Sequence, residues 1–458
     1  MKKDYLLTEQ QIIELQSGKF YGLFAEPGAG KTKTFENVII PVAKEEGKNV
    51  LYLSPRSSLK VQTLTNTSEA RTEKFYGFDR EKLHIKTYQH IQNEMEKGNS
   101  LPKYDYIVAD EAHYLVADHW NEKTHLAVQF LEESQAVKLL MTGTPDILTH
   151  YINKWHVQTL RELNRSKTRV KRIELYSDEK QMIERIKNSQ HEKCKFLTFK
   201  PGKIKDTKKL ANKLGGSFLC SPNNKDNMYD DVDKNLVQAI SDAKESLPAE
   251  NIVSTSVIEE GINIEDPNFQ MVASFEPKLI ENVIQQAARI RKSNVTLLIF
   301  VDNVNSYTGL IKKNKERLEN SFEAQRAYLT FQNEQLNSIN QTPGDNHVER
   351  YRNYLKQYFP TAEIVDMNKK VLKEQIENRL SNLIDLEIYK EDINNDGIVQ
   401  SDLIKIFVEE FGARGNQRQK NIGKKKMADF LNEYNTNIAL INKQNQKMQK
   451  TYWKLIKN

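Results

Sequence analysis

Two successive α/β units, each with a parallel sheet, followed by a mainly α-helical C-terminal region, form the fold class that the sequence predicts. Three observations carry this expectation. Short apolar, β-branched blocks alternate with longer charged stretches of helical period through roughly the first 300 residues, the rhythm of βαβ crossovers in a parallel sheet. That rhythm is interrupted once, by the polar segment NRSKTR at 164–169, and it stops past Asn305, where helical periodicity continues with few strand signals. A chain of 458 residues also exceeds one hydrophobic core, since length over ~150 gives roughly three units.

The first set of strands is expected at Tyr21–Ala25, Asn49–Leu53, His84–Thr87, Tyr106–Ala109 and Lys138–Thr142. The second set is expected at Val170–Leu175, Lys195–Phe199, Phe218–Cys220, Ile252–Thr255, Met271–Phe275 and Val295–Val301. The domains are therefore drawn at 1–165, 166–305 and 306–458.

Composition narrows the class further. A hydrophobic fraction of 38% and a charged fraction of 28% describe a globular protein with a well-charged surface. Two cysteines, Cys194 and Cys220, make neither a disulfide framework nor a zinc site, so the cytoplasm is the simplest compartment. The opening MKKDYLLTEQQ lacks the apolar stretch of a signal peptide, and the longest apolar run, Leu297–Val301, is far below the ~20 residues of a membrane span. Net charge is +6, and it is unevenly placed: residues 411–458 hold 11 Lys or Arg against Asp429 and Glu433 alone. Such a basic tail is what a phosphate-binding surface requires, and equally what a solvated Lys-rich helix looks like.

Two motifs carry chemistry. AEPGAGKT at 25–32 follows a strand and opens a helical stretch, the context of a phosphate-binding loop. Gly28, Ala29 and Gly30 turn backbone N–H groups inward, Lys31 supplies a point charge to β/γ oxygens, Thr32 offers a hydroxyl to Mg²⁺, and Lys33 continues the first turn. The strict pattern asks for Gly at position 25, where this chain has Ala. Some eighty residues on, the strand YDYIVA runs into Asp110, Glu111, Ala112 and His113. Asp110 at the strand's end is placed to hold Mg²⁺ through water, and Glu111 to orient and deprotonate an attacking water. Alone the tetrapeptide is weak; with the loop it is strong.

Further blocks follow in a characteristic order: LSPRSSL at 53–59, TYQ at 87–89, MTGTP at 141–145, FLTF at 196–199, STSVIEEGINI at 254–264 and QQAARIR at 285–291. With these the chain resembles superfamily 2 helicases of the DEAH type over residues 1 to about 305, two RecA-like domains. The resemblance implies ATP and Mg²⁺ between the domains, with Gln11, or equally Gln10, reading the adenine edge and Gly261 approaching the nucleotide from the second domain. Arg289 and Arg291 would act as arginine fingers, with Lys292 competing for the final role. His113, Thr142, Thr144 and Gln285 would couple hydrolysis to movement, while Arg56, Thr87, Thr198 and Thr255 would hold backbone phosphates. Three departures stand out: Asn263 where many relatives have Asp, Ala288 where Gly is usual, and an RxR ending rather than RxxR. The QxxxRxR form and SPRSSL are similar to viral and phage origin-binding helicases.

The implied function is an ATP-dependent helicase or translocase acting on single-stranded or branched DNA in replication, recombination or repair, alongside protein partners of those processes. An RNA helicase, or an ATPase that remodels protein–nucleic acid complexes without separating strands, is the alternative.

Weaker signals complete the reading. DINNDG at 392–397 opens like a calcium loop but has Leu403 where position 12 needs a carboxylate, so a turn is expected instead. The segment 401–434 reads as helix, basic stretch and helix, either a small winged-helix-like DNA-binding unit using Arg414, Arg418, Lys420, Lys424, Lys425 and Lys426, or a surface linker. His84, His119 and His191 are scattered and read as structural.

Overall fold

The computed structural model describes residues 5–55, 82–190, 194–221, 228–255, 263–275, 277, 279–301, 304–344, 346–390, 398–411, 423–434, 436–445 and 450–457. Two compact units divide the chain, Met1–Ile364 and Val365–Asn458.

In the first unit a six-stranded sheet is built from β1 (Phe20–Phe24), β2 (Val50–Ser54), β3 (Leu83–Thr87), β4 (Tyr106–Asp110), β5 (Val137–Thr142) and β6 (Gln158–Arg161), in the order β3-β2-β4-β5-β1-β6. Every pairing is parallel. All residues of β1, β2, β4 and β5 are buried, so these strands read as continuous apolar runs rather than alternating ones, as a sheet covered on both faces requires. Leu51, Leu53, Ile107 and Leu140 face one core; Tyr52, Val108, Leu139 and Met141 face the other. Around the sheet stand α1 (Glu9–Ile13), α2 (Lys31–Thr34), α3 (Tyr88–Glu96) and α4 (Tyr114–Ala117). Strand β6 was not expected, because QTLR is a largely exposed edge strand without an apolar run.

A second sheet contains β7 (Val170–Tyr176), β8 (Lys195–Phe199), β9 (Ser217–Leu219), β10 (Asn251–Ser254), β11 (Phe269–Phe275) and β12 (Val295–Phe300), with the short β13 (Glu363–Asp366) at one edge. Its order is β13-β7-β12-β11-β8-β10-β9, and the pairings among β7 to β12 are parallel. Two parallel-sheet lobes in tandem are the RecA-like arrangement expected. Helix α5 (Ile280–Ala287) follows β11.

The helical region differs from the expectation of one piece after residue 305. Helix α6 (Glu323–Gln341) belongs to the first compact unit. Its Tyr328 stacks on His119 with ring centroids 3.6 Å apart, and its Gln335 takes the Ile280 N–H at 2.9 Å and donates to Glu281 at 2.9 Å. One helix thus touches both lobes: Ala327, Tyr328 and Leu329 join the core of the first, and Gln335 holds the start of α5 in the second.

The C-terminal unit contains α7 (Met367–Ser381), α8 (Gln400–Lys405), which runs on through a π turn at Ile406–Glu410, and α9 (Lys424–Glu433). An antiparallel hairpin, β14 (Ile438–Asn445) and β15 (Lys450–Lys457), closes it. Ile376, Leu380, Leu403, Phe407, Met427, Leu431 and Leu455 form its own core. Among the described residues no helix is long and apolar enough to cross a membrane.

Candidate active site

Parallel strands present all their C-terminal ends at one edge, and the loops there carry the residues singled out above. After β1 the chain turns through Gly28 and Gly30, whose φ angles of 83° and 101° lie in the left-handed region that favours glycine. A Cβ on Gly28 would stand 2.8 Å from the Arg291 guanidinium, so the second lobe reaches over this loop. A Cβ on Gly143 would stand 2.9 Å from the Pro27 ring, so only glycine lets the turn after β5 approach so closely.

Lys31 is buried at the start of α2, and its Nζ donates to the carbonyls of Ala25 at 2.7 Å and Glu26 at 3.3 Å. Burial lowers its pKa; the carboxylates of Glu111 and Asp110 oppose that shift. Asp110, the last residue of β4, accepts a bond from the Tyr52 hydroxyl, which is itself hydrogen-bonded to Thr32. Burial, then the neighbouring Glu111 carboxylate, push Asp110 up to about 6. Glu111 adopts φ 46°, a conformation rare for a side-chain-bearing residue and typical of functional strain. Burial would raise its pKa, but His113, Lys31, Arg289 and Arg291 outweigh that and hold it low.

From Glu111 a chain of polar contacts runs across the seam and returns. Its carboxylate lies 3.5 Å from His113 Nδ1, which lies 3.1 Å from the Thr142 hydroxyl. Thr142 Oγ1 accepts the Thr144 N–H at 3.0 Å, and the Thr144 hydroxyl accepts from Gln285 Nε2 on the second lobe at 3.2 Å. Gln285 Oε1 accepts from Arg289 Nη2 at 3.0 Å, and Arg289 Nη2 lies 3.9 Å from the Glu111 carboxylate. All four residues expected to couple the lobes belong to this ring.

Arg289 is fully buried, its Nε donating to the Gln285 carbonyl at 2.9 Å. Arg291 donates through Nε to Asn263 Oδ1 at 2.7 Å. Burial, then Arg289, push Arg291 down to about 10. Lys292 instead faces Glu265 at 3.7 Å and Glu245 at 4.0 Å, so of the two competing residues it is Arg291 that lies over the loop. Lys31, Arg289 and Arg291 gather around the Glu111 carboxylate, and three cations beside the glycine turn of a strand-to-helix loop suit a polyphosphate. The Thr32 hydroxyl and Asp110 carboxylate, linked through Tyr52, form the oxygen donor set that Mg²⁺ accepts while keeping its remaining waters. Among the described residues no group of three or more His, Cys, Asp or Glu forms a metal cage.

Other expected residues are placed as follows. Ala29, Thr32 and Lys33 are exposed on the loop and first turn. Gln11 closes a capping box on α1, its Oε1 accepting from the Thr8 N–H at 2.9 Å, while Gln10 donates to Glu14 at 2.6 Å. Thr87 caps α3, its hydroxyl accepting from the His90 N–H at 3.1 Å, and Thr255 is half-buried just after β10. Thr198 requires correction: it is fully buried inside β8 with its hydroxyl on Asn251 at 3.3 Å, and a hydroxyl enclosed in a sheet cannot reach a polymer phosphate. Arg56, Gly261, Arg414, Arg418, Lys420, His191 and the DINNDG turn lie outside the described residues. His84 bonds Tyr104 at 2.8 Å and His119 stacks on Tyr328. Sequence reasoning missed the roles of Tyr52, Gly143 and Asn263; Gly143 had left a signal inside the MTGTP block and Asn263 as a departure from the usual Asp.

Residues 8–147, from before α1 to the turn after β5, match the family described as "Type III restriction enzyme, res subunit". No curated protein matches the chain. Among solved structures it is similar to S. cerevisiae Dbp5 bound to RNA and ADP BeF3, at 16% identity and TM-score 0.49 over 79% of this chain and 89% of that one. It is also similar to Mss116p (NTE and C-tail double deletion) bound to ssRNA and AMP-PNP, at 14% identity and TM-score 0.49 over 78% and 90%.

Proposed function

We propose that the chain is an ATP-dependent nucleic-acid motor, a helicase or translocase whose two lobes close on nucleotide and grip one strand of DNA. The observation that carries this reading is the polar ring from Glu111 through Gln285 and Arg289, which joins the hydrolytic carboxylate to an arginine of the opposite lobe. Bound ATP and Mg²⁺ supply the phosphoanhydride bond and its electrophilic phosphorus. Lys31 and the loop N–H groups bind the phosphate oxygens, Thr32 and Asp110 hold the metal, and Glu111 orients water and takes its proton. Arg289 and Arg291 neutralise charge on the transferring group, and because they arrive from the second lobe, turnover depends on closure. Thr87 and Thr255, one at the strand ends of each lobe, hold backbone phosphates, so closure shifts the grip along the strand.

The DEAH form at 110–113 and the TGTP and STSVIEEGI blocks support a DNA-directed replication or repair enzyme, as does the restriction-enzyme description of the family matching the first lobe. Strand displacement on DNA and RNA duplexes with matched overhangs, run beside ATPase assays, tests the proposal. DNA unwinding supports it, RNA unwinding alone turns it to an RNA helicase, and stimulated ATPase without unwinding of either leaves a remodelling switch.

A further inference from the structure

The C-terminal unit holds an arrangement that the nucleotide site does not use. Ile388 pairs antiparallel with Trp453, each N–H donating to the other's carbonyl at 2.9 Å, so β15 lies between β14 and this third strand. The order is therefore α7, a bridge strand, α8, α9 and a two-stranded wing, the winged-helix plan. Its core pins the second helix pair: Phe430 of α9 meets Phe407 edge-on at 5.8 Å and lies parallel to Phe411 at 6.4 Å, with Met427 and Leu431 buried beside it.

Burying that side fixes what α9 shows to solvent. At about 3.6 residues per turn, Lys425, Asp429, Asn432 and Glu433 share the exposed face opposite Met427 and Tyr434, with half-buried Lys424 and exposed Lys426 flanking it on either side. Pairing in the hairpin puts Lys443, Lys450 and Lys454 on one face of the wing. Charge is segregated accordingly. Residues 365–410 hold six Lys or Arg against eleven Asp or Glu, whereas residues 411–458 hold 11 against two.

We propose that residues 365–458 form a winged-helix module that binds B-form duplex DNA, with α9 in the major groove and the wing lysines on the adjoining backbone. Groove dimensions select the occupant. The major groove of B-DNA, about 12 Å wide, admits an α-helix, while the deep, narrow major groove of A-form RNA does not. The exposed face matches base edges as well: Asn432 suits adenine, Lys425 guanine and Asp429 the amino group of cytosine, while Lys424 and Lys426 reach phosphates on either side. This site goes beyond the ATP-driven reading and stands in a unit with its own core.

Fluorescence anisotropy of the full chain against blunt duplex DNA of roughly two helical turns, a matched duplex RNA and single-stranded DNA, over a salt series, tests it. Duplex DNA is expected to bind at least about tenfold more tightly than duplex RNA. Lys424→Gln with Lys426→Gln is expected to weaken duplex DNA binding roughly tenfold or more and to reduce the salt slope by about 0.9 per lost contact, close to two units for the pair. Lys426 is exposed and Lys424 half-buried, so Lys426→Gln alone, expected to lower the slope by about 0.9, keeps the test decisive should the pair shift the thermal melt. Asn432→Ala should leave the slope intact and flatten preference among duplex sequences. Lys31→Ala should bind duplex DNA as the wild type does, so a failed ATPase reading would leave this result standing. An unchanged slope and affinity in the lysine pair, equal loss on duplex RNA, or loss confined to single-strand-stimulated ATPase would overturn the proposal.

Discussion

Gln285→Ala cuts the polar ring where it crosses between lobes. The wild-type amide donates to the Thr144 hydroxyl at 3.2 Å and accepts from Arg289 Nη2 at 3.0 Å, and both partners are buried. Alanine removes a bond to a charged group, worth about 1.5–3 kcal/mol, and a neutral one, worth about 0.5–1.5 kcal/mol. Arg289 keeps its bond to the residue 285 carbonyl, so a loss of about 2–4 kcal/mol bounds the effect. At 1.36 kcal/mol per tenfold, nucleic-acid-stimulated kcat should fall roughly 30- to 900-fold. ATP affinity should change less than about threefold, since the loop around Lys31 is untouched. Phosphate release at saturating ATP, with and without single-stranded DNA, measures both quantities. Thr144→Val completes a double-mutant cycle, with an expected coupling of about 1 kcal/mol. Additive effects of the two changes, or wild-type stimulation in Gln285→Ala, would refute the claim that this bond links the lobes.

Lys31→Ala should abolish turnover, and Glu111→Gln should block hydrolysis while ATP stays bound; steady-state hydrolysis and nucleotide binding check both. Burial and Glu111 hold Asp110 at about 6 while the Tyr52 bond pulls it down. As pH falls Asp110 gains a proton more readily than an ordinary carboxylate does and with it loses its hold on Mg²⁺, so turnover should decline on the acid side. Tyr52→Phe should move that acid limb to higher pH, and a stationary limb contradicts the assignment. Burial lifts Glu281 from 4.5 to about 7, so its protonated form favours the fold. Its stabilisation is complete below about 4.5 and is lost as pH rises through about 7. Glu281→Gln should therefore flatten the fall of Tm between acid and alkaline buffer, and an identical fall in the variant would refute this.

Legibility followed locality. The Lys31 loop and the Asp110–Glu111 pair were readable because each is a short run with its strand and helix context attached. The members of the ring were named through resemblance, yet their pairing order was not readable, because Thr144 and Gln285 are 141 residues apart. Thr198 was misjudged because a threonine on a strand looks the same in sequence whether its hydroxyl faces a polymer or a neighbouring strand. Tyr52 reads as one more apolar strand residue; only folding sets its hydroxyl on Asp110. The hairpin at 438–457 escaped notice because its outer half, rich in Lys, Asn and Gln, masks the alternation of Ile438, Leu440 and Leu455. Helix α6 was grouped with the tail because periodicity marks a helix without saying which lobe its buried face covers.

An experimental structure with a non-hydrolysable ATP analogue and Mg²⁺ tests the central claim most directly. Lys31 Nζ and the guanidinium groups of Arg289 and Arg291 should contact the same triphosphate, with Asp110 and Thr32 around the metal. A nucleotide held by the first lobe alone, with both arginines turned to a different surface, would contradict it.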